Sequence, residues 1–228
     1  DTSAVSDTLD NAMKATALSH LTAVSGANCA VVVGLVMLVA GGLGASRGVR
    51  IAASLTVLLG FVILVTPSAS VLRASVMAAL VLGSLATGRP FRGLAVLSIA
   101  VIALLATDPW LSRDYGFVLS VLATGGLLVL AGPLASAMSR WIPPPLAAVI
   151  SIPLAAQLAC QPVLILLNPT IPVYGVLANL LAEPAAPIAT VLGLLGCAFL
   201  PILEPVGRVF TYLAWLPSAW ISAIAQFF

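Results

Sequence analysis

Runs of apolar residues long enough to cross a bilayer constrain this chain more than any other feature of its sequence. Val49–Thr66 holds one charged residue, Arg50, and Ala69–Thr87 holds one, Arg73. A hydrocarbon core of about 30 Å takes about 20 helical residues at 1.5 Å each. Only 7% of the chain is charged and 61% is hydrophobic, whereas soluble domains carry about 25% charged residues. So few charges cannot cover a water-facing surface. The sequence therefore predicts an all-α polytopic membrane protein, because helices satisfy their own backbone groups in lipid.

In chain order, about seven to eight hydrophobic helical segments are expected, some of them broken or re-entrant. An N-terminal amphipathic helix over residues 1–24 should precede them. Its Leu9, Met13, Ala17, His20, Leu21 and Val24 recur at helical spacing, the pattern of a helix lying in the interface. Ser25-Gly26-Ala27-Asn28 then breaks the chain, with Ser25 or Asn28 as an N-cap for a short apolar helix over Cys29–Ala40. A short, glycine-interrupted span is the mark of a broken helix beside a site. Spans are predicted over Val49–Thr66, Ala69–Thr87, Gly93–Thr107, Tyr115–Ala131 (capped by Asp114) and Leu146–Leu167. Gly132–Pro145 reads as a connector. Ile171–Leu200 is cut by Pro184 and Pro187, and Pro205–Phe228 closes the chain with the interfacial residues Trp215 and Trp220. Residues 25–228 are thus read as the membrane helices of a single domain over 1–228, a piece of a longer protein.

Loop charge predicts orientation. The connections after the first, third and fifth spans hold Arg47, Arg50, Arg89, Arg92 and Arg140 without an acid. The others hold only Arg113, with Asp108 and Asp114. By the positive-inside bias the arginine loops face the cytoplasm and residue 1 lies outside.

Polar residues inside the apolar runs are the candidates for function, because burying them in lipid is costly unless they are paired or wet. Arg73 either snorkels to the outer interface or faces a water-filled path where it would meet phosphates. Asn179 and Glu183 lie one turn apart before Pro184. Ser120 and Thr124, and Gln157 and Gln161, are four apart and share a helix face; they either join helices or line an aqueous route. His20, Ser25, Gly26 and Asn28 sit at the first break.

Several chemistries are excluded. His20 and Ser25 do not form a serine-protease site, since Ala23 replaces the first glycine of a GxSG-like turn and the one histidine lies just upstream of the serine. Carboxylates and histidine show no ligand spacing for a metal-dependent nuclease, and no Gly-rich phosphate loop is present. Cys29, Cys160 and Cys197 stand alone in apolar runs, so zinc and redox chemistry are not expected. The chain reads as a non-enzyme without a cofactor.

Four stretches in order resemble one family: SHLTAVSGAN (Ser19–Asn28), VLRASVMA (Val71–Ala78), DP followed by DYGFVLSVLAT (Asp108–Pro109, Asp114–Thr124), and YGVLANLLAEP (Tyr174–Pro184). Together they resemble the membrane competence domain of the ComEC-type DNA-uptake proteins over nearly the whole chain. The resemblance implies a channel for single-stranded DNA in the inner or plasma membrane of a bacterium, alone or as a homo-oligomer. It also implies partners: the DNA strand, the lipid bilayer, a DNA receptor and a cytoplasmic motor. Arg73, Asn179, Pro184 and Gln157 fall on the family pattern; at Glu183 many relatives would carry an apolar residue. An ion-coupled small-solute transporter using Glu183 is the alternative, although such a protein should show repeat symmetry in its hydropathy, and none is seen. A structural anchor would need neither Arg73 nor the Ser25–Asn28 break.

Overall fold

The structure is a computed structural model that describes residues 6–21, 26–65, 68–88, 92–167 and 172–228. Among the described residues ten α-helices follow in chain order: α1 (Asp7–Ala15), α2 (Gly26–Gly42), α3 (Arg47–Leu64), α4 (Ala69–Thr87), α5 (Gly93–Thr107), α6 (Tyr115–Met138), α7 (Pro144–Leu167), α8 (Gly175–Ala182), α9 (Ala185–Phe199) and α10 (Glu204–Phe227). Short 3₁₀ turns lie at Ser19–Leu21 and Pro109–Arg113. No strand occurs among the described residues. Among the described residues four helices, α3, α4, α6 and α7, are long and apolar enough to cross a membrane, and the bent pair α8 plus α9 makes a fifth if counted as one broken span; α2 and α5 are apolar but shorter. Of the seven to eight segments expected, some broken or re-entrant, four to five are full-length spans among the described residues. Leu38, Ile63, Ile102 and Leu166 are 68–80% exposed, an outward surface that lipid suits and water does not.

By its packing the chain forms two compact units, residues 24–169 and residues 1–23 with 170–228. In the first, α2 to α7 are joined by short connections and successive helices pack on one another. Contacts also step in register between α2, α4 and α6. Gly26 abuts Ala74 and Cys29 meets Ser75. Ser70 donates to the Gly116 carbonyl, and Arg73 to Ser120. Both series rise together, so the three helices run parallel and their N-termini share one end. Helices α6 and α7 make the most extensive contact. A Cβ at Gly126 would lie 2.5 Å from the Ala159 Cβ and 2.9 Å from the Ala155 carbonyl oxygen. That glycine is what lets the two backbones approach.

Local signals explain most helix ends. Ser68 and Asp114 cap α4 and α6, accepting from Val71 N at 3.4 Å and Phe117 N at 2.7 Å. Gly88 closes α4 in the left-handed conformation. Helix α2 ends with Gly44 at φ +74° and the Ala45 amide on the Ala40 carbonyl, a Schellman ending.

Several expectations are corrected. Asn28 is not an N-cap: it is buried inside the first turn of α2, while Ser25 lies outside the described residues. Helix α2 is longer than Cys29–Ala40, because Gly26 and Ala27 already belong to it. The Gly132–Pro145 connector is mostly helix, since α6 continues through Pro133 to Met138. The proline removes one N–H, but packing on α7 holds the helix on. Pro187 does not cut the 171–200 stretch; it sits in the first turn of α9, where its missing N–H costs nothing.

In the second unit α1 is shorter than the helix expected over 1–24. The Leu18 amide bonds the Met13 carbonyl at 2.8 Å, with Ala17 at φ +57°. This is a Schellman ending with alanine at the position glycine usually takes. Met13 and Leu18 are buried with Ala178, Ala182, Ile221, Ile224 and Ala225. The apolar face of α1 is therefore covered by α8 and α10. Helices α9 and α10 pack through Gly196 against Thr211 and Gly207 against Leu200. The ion pairs among the described residues, Lys14–Asp10 and Arg208–Glu204, are exposed i,i+4 pairs and contribute little.

Candidate functional site

The site begins with Arg73, the fifth residue of α4, about 6 Å from its start at the rise of an α-helix. It is 5% exposed and has no ion-pair partner among the described residues. Ser120 Oγ of α6 accepts from Nε at 3.0 Å and from Nη2 at 2.7 Å. Nη1 donates to Met77 Sδ, one turn along α4, at 3.0 Å. The head is therefore turned into the bundle rather than out to an interface, and every acceptor it meets is neutral. A guanidinium held this way keeps its full charge in a place where an uncompensated charge costs about 2.5–3.5 kcal/mol or more.

Gly26 brings the start of α2 onto the same cation. A Cβ there would lie 3.2 Å from Arg73 Nη2, 2.9 Å from the Ala74 Cβ and 3.6 Å from the Ser70 carbonyl oxygen. The N-termini of α2, α4 and α6 thus lie at one end around Arg73. Those of α2 and α4 carry partial positive charge, whereas that of α6 is capped by the Asp114 carboxylate, which accepts from the Phe117 amide. The arrangement suits an oxyanion, which helix N-termini and an arginine fork both recognise.

Of the residues picked out from the sequence, Gly26, Asn28, Arg73, Ser120, Thr124 and Gln157 belong to one unit. His20, Asn179 and Glu183 belong to the other. Gly26, Arg73 and Ser120 are brought together. Thr124 is not joined to them by its hydroxyl, which donates back to the Ser120 carbonyl at 3.0 Å, the habit of threonine in a helix. Gln157 is half-buried on α7. Both amide atoms of Gln161 are buried without a partner among the described residues.

In the second unit His20 is exposed in the 3₁₀ turn, its Nδ1 3.0 Å from the Ala17 carbonyl oxygen. Asn179 donates to the Gly175 carbonyl at 2.8 Å, so it serves its own helix. Glu183 is exposed at the end of α8, where the bent pair turns by 45°.

Two participants escaped the sequence reading. Met77 takes a guanidinium N–H; its i,i+4 spacing from Arg73 was the available signal. Trp220, expected only as an interfacial anchor, donates its indole N–H to the Leu181 carbonyl at 3.0 Å. It supplies a donor at the α8–α9 break, and no sequence signal pairs those two positions. No group of His, Cys, Asp and Glu among the described residues could hold a metal ion.

Comparison with known proteins agrees with the arrangement of motifs. No curated protein and no solved structure matches the chain. The family described as Competence protein matches residues 1–228, from end to end. A polytopic helical chain with that match along its whole length belongs to the Competence protein family.

Proposed function

We propose that this domain is the membrane channel through which single-stranded DNA is imported during natural transformation. One observation carries the reading: a buried arginine with only neutral partners, set among three helix N-termini. A passing phosphodiester is the ligand such a cation suits, since guanidinium and orphan amides both bind phosphate oxygens. Family membership supports a role in competence. On this reading the domain sits in the inner or plasma membrane with residue 1 outside. It takes the strand from a receptor and passes it to a cytoplasmic motor, as a monomer or a homo-oligomer.

The reading is tested against the solute-transporter alternative at Glu183. If that carboxylate couples ion flow to transport, Glu183→Gln abolishes transport, because the amide cannot take up and release a proton. If the domain conducts DNA past Arg73, Glu183→Gln imports labelled DNA within about threefold of wild type, the scatter expected of an exposed substitution. Loss of import in Glu183→Gln at normal membrane levels would favour ion coupling.

Orientation is checked separately. Single cysteines replacing Arg47 or Arg140 in a cysteine-free background are expected to react with an impermeant thiol reagent only from the cytoplasmic side. Labelling of both positions in intact cells would reverse the topology.

A further inference from the structure

We propose that Ser120 is a positioning residue. It holds Arg73 by one edge with a neutral oxygen, so that the guanidinium stays oriented and keeps its charge for the phosphates of the strand. This rests on the DNA-channel reading above and assigns a role within it.

The geometry is specific. Nε and Nη2 form the side-on fork of a guanidinium, the edge that grips two oxygens of a carboxylate or phosphate. Here both point at a single hydroxyl oxygen, at 3.0 and 2.7 Å. A hydroxyl oxygen has two lone pairs and can accept both bonds. Nη1 is tied to Met77, so the ring of donors is fixed at two points from two helices. The same Nη2 faces the start of α2 at Gly26. Ser120 therefore decides which way the remaining N–H groups point.

The choice of serine matters chemically. A carboxylate at this position would fit the same fork and bind it more tightly, because a charged acceptor roughly doubles the strength of a hydrogen bond. It would also neutralise the cation. A serine orients without neutralising.

Two isosteric substitutions separate orientation from charge. Ser120→Asn offers a neutral carbonyl to the fork; Ser120→Asp offers a carboxylate of the same shape. The measurement is import of labelled single-stranded DNA into a protected compartment, normalised to protein in the membrane, at several salt concentrations. Ser120→Ala should lower import about tenfold, the effect of removing a bond to a charged group. Ser120→Asn should recover most of that loss. Ser120→Asp should import at least about a hundredfold less than Ser120→Asn and lose the salt dependence that phosphate contacts give. A merely structural tie between α4 and α6 predicts the opposite, since the carboxylate would hold Arg73 better and import would equal or exceed wild type. That outcome, or wild-type import by Ser120→Ala, overturns the proposal. If the aspartate variant does not accumulate, the alanine and asparagine variants still decide, because a positioning role requires loss in one and recovery in the other. Arg73→Ala in the same assay keeps the two layers apart. Normal import without Arg73 removes the DNA-path reading itself. Loss without Arg73 but not without the Ser120 hydroxyl removes only the positioning role.

Discussion

Arg73→Ala is expected to reduce DNA import at least about a hundredfold, the equivalent of losing a charge-assisted grip on phosphate. Lysine at the same position should fall between alanine and arginine. Its ammonium is a point charge on a flexible stem and cannot engage Ser120 along one edge while reaching Met77 with another nitrogen. A snorkelling arginine would behave differently: lysine would serve as well, and alanine would cost little. The geometry also sets the expected effect on stability. Arg73 bonds across from α4 to α6, so alanine removes a link of about 1.5–3 kcal/mol. It also removes the burial cost of the charge, which is of similar size. Membrane accumulation should therefore stay close to wild type. Import is measured as labelled DNA in a protected compartment per unit of membrane protein. In wild type it should fall as salt screens phosphate contacts, and the gap to the alanine variant should narrow. An alanine variant importing at the wild-type rate would leave Arg73 as a packing residue and withdraw the main site assignment.

Gly26→Leu should also be damaging. In the structure this glycine lets α2 touch α4. A Cβ at position 26 would already lie 2.9 Å from the Ala74 Cβ and 3.2 Å from Arg73 Nη2. The guanidinium can give way by a few tenths of an ångström, but the alanine on a packed helix cannot. Leucine must push the helices apart or evict the arginine head from Ser120. Overpacking of this kind costs about 1–3 kcal/mol, so import should fall about tenfold or more. Gly26→Ala should show a milder loss. Combining Gly26→Ala with Ala74→Gly moves the methyl from one helix to the other and should restore much of the import. The new glycine inside α4 costs about 1 kcal/mol of helix stability. If the double variant is no better than Gly26→Ala, contact with Ala74 is not what demands glycine. The amide end of α2 would then be the thing to test.

Much of this protein was legible in its sequence, because the signals involved are local. Apolar runs with at most one charge identify helices that lie in lipid, and α4 and α5 coincide with the predicted Ala69–Thr87 and Gly93–Thr107. Asp114 announces α6 because a short carboxylate before an apolar run caps a helix. Pro184 announces the break between α8 and α9 because it has no N–H to give. The family was legible too, as four motifs in order. What the sequence misplaced were the ends that packing decides: α6 running through Pro133, Asn28 inside α2, and α1 stopping at Ala15 with an alanine in the left-handed turn. The choice between snorkelling and facing inward could not be read from Arg73 itself. A single charged residue in a run has the same local pattern either way. Only the tertiary structure places Ser120, 47 positions away, under its Nε/Nη2 edge and Gly26 against its Nη2. It likewise decides that Ser120 and Thr124, equivalent by spacing, serve different ends: one hydroxyl accepts from another helix, while the other returns to its own backbone. Periodicity reports which residues share a face, but what that face meets depends on helices far away in the chain.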